Sequence, residues 1–250
     1  MKFHGTLVRA TALAFALASF TSAHAADKKK VEAKLQAVDS GTFGVFVKGQ
    51  RVASETFTIQ QQNDSSIIKS QLKELVGSTP VTQKSDLEIT STGALLHYDW
   101  SQTSGGSLRV FPDNEFLKER IVASASAKPA EQAFLMPNTT AILDNNFFVH
   151  REILIWRFLG AVCKQENGSL KCQQDPGEFG VLVPQDRTSI HVRLELVGKE
   201  KVEVRGAERE LLRLNLKGEG FEWALWVDDK DQFKLIRASI PADNTEVVRD

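Results

Sequence analysis

Tyrosine is nearly missing from this chain: one stands against 15 phenylalanines and four tryptophans. Phenylalanine needs no buried hydroxyl partner, so this bias suits a packed core and an apolar cavity equally well. A basic excess is also missing. With 31 basic and 32 acidic side chains there is no surplus to neutralise phosphates, which speaks against a nucleic-acid partner. Beyond residue 25 the only histidines are His97, His150 and His191, on three separate predicted elements, and no H-x-H or H-E-x-x-H spacing occurs. A metal site therefore lacks its usual seed. There is no G-x-S-x-G elbow and no phosphate loop, and Gly218-Glu219-Gly220 lacks the third glycine of a dinucleotide fingerprint. No catalytic residue, metal or cofactor is expected from the motifs. The acidic run Asp228-Asp229-Lys230-Asp231 lacks calcium-loop ligand order and contains a lysine, so it reads as a solvated hairpin turn.

What is present first is a secretory signal. Lys2 and Arg9 precede an apolar run from Ala10 to Phe20, and Ala23 and Ala25 occupy the −3 and −1 positions of an A-x-A cleavage site. The run is well short of the roughly 20 residues of a membrane span, and no later segment reaches that length. The expectation is a signal peptide over 1–25 and a periplasmic or secreted product with no transmembrane segment. Without Lys2 and Arg9 the chain has 29 basic and 32 acidic side chains, a net of −3. Residues 26–40 are polar and weakly patterned, and read as a leader. Residues 41–250 read as one domain.

An oxidising compartment gives the two cysteines a role. In the run from Cys163 to Cys172, Asn167-Gly168 is a strong hairpin signal because both residues tolerate a positive φ. Folding back on that turn pairs Cys163 with Cys172, so a structural disulfide is predicted.

The rest of the domain is dominated by period-two segments broken by Gly, Asn, Asp and Pro. Thr42–Val47, Arg51–Ile59, Ser65–Leu75, Leu87–Thr92, Ala94–Ser101, Ser107–Phe111 and Phe116–Ser124 read as strands, with a tight turn at Pro112-Asp113-Asn114-Glu115. Later segments alternate more cleanly: Leu212, Leu214 and Leu216 share one face, and Phe221, Trp223, Leu225 and Val227 another. Trp226 has the opposite parity to Trp223. Such alternation is the mark of an antiparallel sheet.

One segment breaks the rhythm. From Asn145 to Leu159 the residues are mostly large and apolar, with Asp144 as a predicted N-cap and Gly160 as a predicted C′ residue. A helix is predicted here, with His150, Arg151 and Arg157 on one side and Glu152 apart from them. A buried strand over Glu152–Phe158 is the alternative. The apolar stripe is too wide for a surface helix and demands burial. The fold class expected is mainly β with one central helix: a curved antiparallel sheet or half-open barrel wrapping the apolar helix.

Three segments carry a resemblance: the opening hairpin from Gly44 to Phe57, Leu143-Asp144-Asn145-Asn146-Phe147-Phe148, and Phe179-Gly180-Val181-Leu182-Val183-Pro184-Gln185. They are similar to segments of uncharacterised bacterial periplasmic proteins. The resemblance implies a lipoprotein-carrier-like open β-barrel with an apolar cavity, and brings no catalytic residues.

Phe147, Phe148, His150, Ile153, Trp156, Phe158 and Trp223 are the candidates for lining an apolar pocket between helix and sheet. The leading expectation is a non-enzymatic exported protein that binds a lipid, a lipidated polypeptide or another apolar ligand. The alternatives are an envelope protein-protein interaction module without internal ligand, and a hydrolase whose carboxylates converge only in the fold. Whether the space around the helix is filled or hollow separates the first two.

Overall fold

A computed structural model describes residues 35–77, 80–166, 169–173 and 175–250. The predicted signal peptide, most of the predicted leader and the predicted Asn167-Gly168 turn lie outside the described residues. Alternation of buried and exposed side chains produces a run of eight strands. These are β1 (Gln36–Val47), β2 (Gln50–Gln62), β3 (Ser65–Glu74), β4 (Thr82–Thr90), β5 (Leu95–Gln102), β6 (Ser107–Asp113), β7 (Phe116–Val122) and β8 (Ala130–Phe134). Each pairs antiparallel with the strand before it. A short β9 (Ala141–Ile142), the helix α1 (Val149–Val162) and the hairpin of β10 (Cys163–Glu166) and β11 (Ser169–Cys172) follow. The chain then builds a second meander from β12 (Gly177–Val183), β13 (Thr188–Val204), β14 (Ala207–Gly218), β15 (Phe221–Asp228), β16 (Lys234–Ile240) and β17 (Thr245–Arg249).

The first and last strands join the two meanders: β1 pairs antiparallel with β17, giving a single 15-stranded sheet. At the far edge of the second meander β9 adds in parallel to β12. The sheet is curved and does not close, so β8 and β9 remain as its edges. Its inner face carries Phe57 and Ile59 of β2, Ile68 and Leu72 of β3, Leu87 of β4, and Leu214 and Leu216 of β14. All of these are buried in one core with the helix. The predicted fold class is the observed one. Among the described residues no helix is long and apolar enough to cross a membrane.

Several boundaries differ from the sequence reading. β1 begins at Gln36, inside the stretch expected to be leader, and buries Asp39. β4 begins at Thr82 instead of Leu87, because its inward residues Gln83 and Ser85 are polar and hide the alternation. Pro112 and Asp113 belong to β6 and pair with Leu117 and Phe116, leaving Asn114-Glu115 as the turn. Trp226 does face away from Trp223. It forms a second small cluster with Val202, Val204, Leu211 and Ile236, and its indole N–H donates to Glu200 at 3.1 Å. The disulfide Cys163–Cys172 is present, on the predicted register of β10 and β11.

The helix runs from Val149 to Val162, displaced from the expected 145–159, and neither predicted cap acts as one. The carboxylate of Glu55, reaching across from β2, accepts the amides of Phe148 at 2.6 Å and Val149 at 3.3 Å. Free amides at a helix start favour an anion from any source, and a strand residue supplies it. Asp144 instead accepts the Asn146 amide at 2.8 Å, bending the chain ahead of the helix. Gly160 lies exposed within the last turn, and Cys163 ends the helix by donating its amide to Leu159.

Candidate functional site: two clefts at the ends of the buried helix

The middle of the space between helix and sheet is filled. Phe43, Phe57, Ile68, Tyr98, Phe147, His150 and Phe158 are at most 1% exposed and pack around the helix. Open space remains at each end.

The first cleft, about 620 Å³, lies where the helix begins. Its walls are Val45, Val52, Leu72, Phe148, Trp223 and Ile240, and its rim carries Glu74, Asn145, Asn146, Asp243 and Thr245. Among the described residues two carboxylates and no basic side chain line it. Behind the wall sits Arg151, 1% exposed, with its guanidinium 4.5 Å from the Trp223 ring centre and 5.3 Å from that of Phe148. It donates to the carbonyls of Asp144 and of Phe147, the latter at 2.7 Å. Burial lowers its pKa to about 10, opposed by the nearby charges of Asp144 and Glu55, so it stays cationic at neutral pH. Burial also raises Glu55 to about 7, against the Ser70 hydroxyl and the two helix amides that favour its charge. Asp144 is raised by burial too, and accepts from Tyr98 and Gln185. The wall of the first cleft thus rests on a buried group of acids around one arginine.

The second cleft, about 690 Å³, flanks the other half of the helix. Val38, Ile59, Ile89, Ile153, Trp156 and Phe179 form its apolar walls. Among the described residues Arg157 is its only charged lining residue, and the β4–β5 turn Thr90-Ser91-Thr92-Gly93 closes one side.

The predicted site residues are therefore divided three ways. Phe148 and Trp223 line the first cleft, while Ile153 and Trp156 line the second. Phe147, His150 and Phe158 line neither and belong to the packed core. His150 is a correction, since the sequence reading put it on the helix's polar side. It is 1% exposed, lies edge-on to Tyr98 at 5.6 Å, and among the described residues neither ring nitrogen has a hydrogen-bond partner. Burial, aided by Arg151, lowers its pKa to about 3, so the ring is neutral.

Sequence reasoning missed Glu55, Asp144 and Glu152 as members of the buried polar framework. The one legible signal was charge at Arg151 and Glu152 inside an otherwise apolar run. Glu152, fully buried, accepts the Leu235 amide at 3.1 Å and lies 3.3 Å from Arg249. Arg249 also holds Asp39 at 2.6 Å. Burial and the neighbouring Asp39 push Glu152 well above the carboxylate range. Burial also opposes ionisation of Asp39, but Glu152 and Arg249 outweigh it and hold that carboxyl below its usual value. This acid pair ties the helix to β1, β16 and β17, and lines neither cleft.

On the outer face of β2–β7 lies a third hollow, about 840 Å³, with Lys69, Lys73, Lys84, Arg109 and Arg120 against Asp86 and Asp99. No family model, curated protein or solved structure matches the chain. The functional reading therefore rests on these geometries.

Proposed function

We propose that the protein is exported and binds an apolar ligand, a lipid or a lipidated polypeptide, in the cleft at the N-terminal end of α1, without transforming it. One observation carries this reading: an open hollow of about 620 Å³ whose walls are Val45, Val52, Leu72, Phe148, Trp223 and Ile240. That volume falls within the usual range of small-molecule pockets, roughly 300–1,000 Å³. Each methylene moved from water onto such walls contributes about 0.8 kcal/mol. Glu74 and Asp243 at the rim repel an anionic head, which favours a neutral one. Val76, 49% exposed, extends the apolar wall towards solvent.

Native mass spectrometry after mild extraction should show a co-purifying neutral lipid, and Trp223→Ala should weaken binding of a neutral fluorescent lipid probe. A clean ligand-free mass together with no probe binding would refute the proposal. Export is tested separately by N-terminal sequencing of the mature product, which should begin at Ala26.

The outer-face hollow favours a second reading, an envelope interaction module. Lys73, Lys84 and Arg120 within it have no carboxylate partner among the described residues, so an acidic surface would complement them. Crosslinking in the native envelope, with and without Lys73→Glu and Lys84→Glu, tests it.

A further inference from the structure

Arg157 is the anomaly of the second cleft. Its side chain is half-buried among apolar neighbours, and burial alone pulls its pKa below the usual arginine value. Among the described residues no carboxylate pairs with it. Its contacts are a hydrogen bond to the Thr139 carbonyl at 2.9 Å and the Phe179 ring at 5.8 Å. Every other arginine that faces an aromatic ring here also has a carboxylate or a buried acid group nearby: Arg51 has Asp250, Arg213 has Glu200, Arg237 has Glu246, Arg249 has Asp39, and Arg151 has Asp144 and Glu55.

The fold makes room for this cation. Gly93 has a φ of +81°, and a Cβ there would lie 2.9 Å from the Arg157 Nε. The β4–β5 turn thus needs glycine for its backbone, and the guanidinium packs against the face a side chain there would occupy. A partly desolvated charge without a counter-ion is costly, and a ligand anion would relieve that cost. The carbonyl end of the helix disfavours an anion, so the arginine is the group that would have to hold one.

We propose that the second cleft binds a single-chain anionic amphiphile, with its head on Arg157 and its chain along Val38, Ile59, Ile89, Ile153 and Trp156. A carboxylate or a phosphate monoester supplies the same head chemistry. The charge contrast supports this choice, because among the described residues acids line the first cleft and a single cation the second. The site is separate from the N-terminal cleft, and either can fail while the other stands.

The test uses the full mature chain and three probes of equal chain length: dodecanoate, dodecyl phosphate and dodecyltrimethylammonium. At least one anionic probe should bind, and the cationic one should bind at least tenfold more weakly. Binding of dodecanoate alone identifies a carboxylate site, and of dodecyl phosphate alone a phosphoester site. Arg157→Gln should weaken the anionic probes about tenfold or more, and Arg157→Lys should restore most of the affinity. Far-UV circular dichroism confirms that both variants fold. A bromine-tagged version of the anionic probe that binds should quench Trp156, so quenching should survive Trp223→Phe and fall with Trp156→Phe. Equal affinity for all three probes, an unchanged affinity in Arg157→Gln, or quenching that vanishes with Trp223→Phe would each overturn the proposal.

Discussion

The two ends of α1 are built from the same materials, a sheet wall and an aromatic helix face, yet they handle charge in opposite ways. At the N-terminal end Arg151 is sealed behind Phe148 and Trp223 with Asp144 and Glu55 as its counter-charges, and the charged groups lining the cleft outside are, among the described residues, the acids Glu74 and Asp243. At the other end Arg157 stands in the cleft wall with no acid beside it among the described residues. One arginine is spent on structure and the other is left for something else. The charge of Arg151 is already compensated inside the fold, whereas the half-buried Arg157 has no carboxylate partner among the described residues.

The sharpest way to break this comparison is to remove each cation in turn. Arg151→Met should cost about 3–5 kcal/mol, because it leaves buried acid groups without their counter-charge. Urea denaturation at pH 7 measures it, and a loss below about 1 kcal/mol would mean that the sealed arginine is not a keystone of that end.

A second test probes the same end through pH. His150 is neutral in the fold with a pKa of about 3, whereas an unfolded histidine titrates near 6.5. Below about 6.5 the unfolded chain takes up a proton that the native chain refuses, so this residue's contribution to stability falls as the pH falls. Glu55, raised to about 7, acts in the reverse sense, its contribution growing as the pH drops towards 4.5. Since Glu55 is present in both proteins, comparing wild type with His150→Phe isolates the histidine. Between pH 7 and pH 5 the variant should lose about 2 kcal/mol less than the wild type. Parallel stability curves would show that the imidazole is not held neutral.

The smallest effect is expected at the other end. Arg157→Gln should change stability by less than about 1 kcal/mol, because only the half-buried side chain's bond to the Thr139 carbonyl and its contact with the Phe179 ring are lost. Thermal melting checks it, and a loss matching that of Arg151→Met would erase the difference between the two ends.

How far the sequence could be read follows from the range of each interaction. Strand alternation and the cysteine hairpin depend on neighbours within about ten residues, and both were legible. The very apolar segment ending at Leu159 announced a buried helix for the same reason. Its caps were misread because the acid that closes the helix start, Glu55, lies 93 residues from Phe148. β4 was read five residues short because the polar Gln83 and Ser85 face inward, Gln83 accepting from the Trp100 indole and the Asn146 amide.

The chain's scarcity of tyrosine has a counterpart in the fold, where the single Tyr98 is fully buried and donates its hydroxyl to Asp144. The phenylalanines need no such partner and fill the centre. By itself the sequence determined the class of the fold, the burial of the helix, the disulfide register and the opposed faces of Trp223 and Trp226, since period and parity are local properties of a chain. Only the tertiary structure decided that the space around the helix is solid in the middle and open at both ends. It also decided which arginine is compensated and which is not. Both are outcomes of side chains distant in sequence meeting across a curved sheet, and no local pattern encodes that meeting.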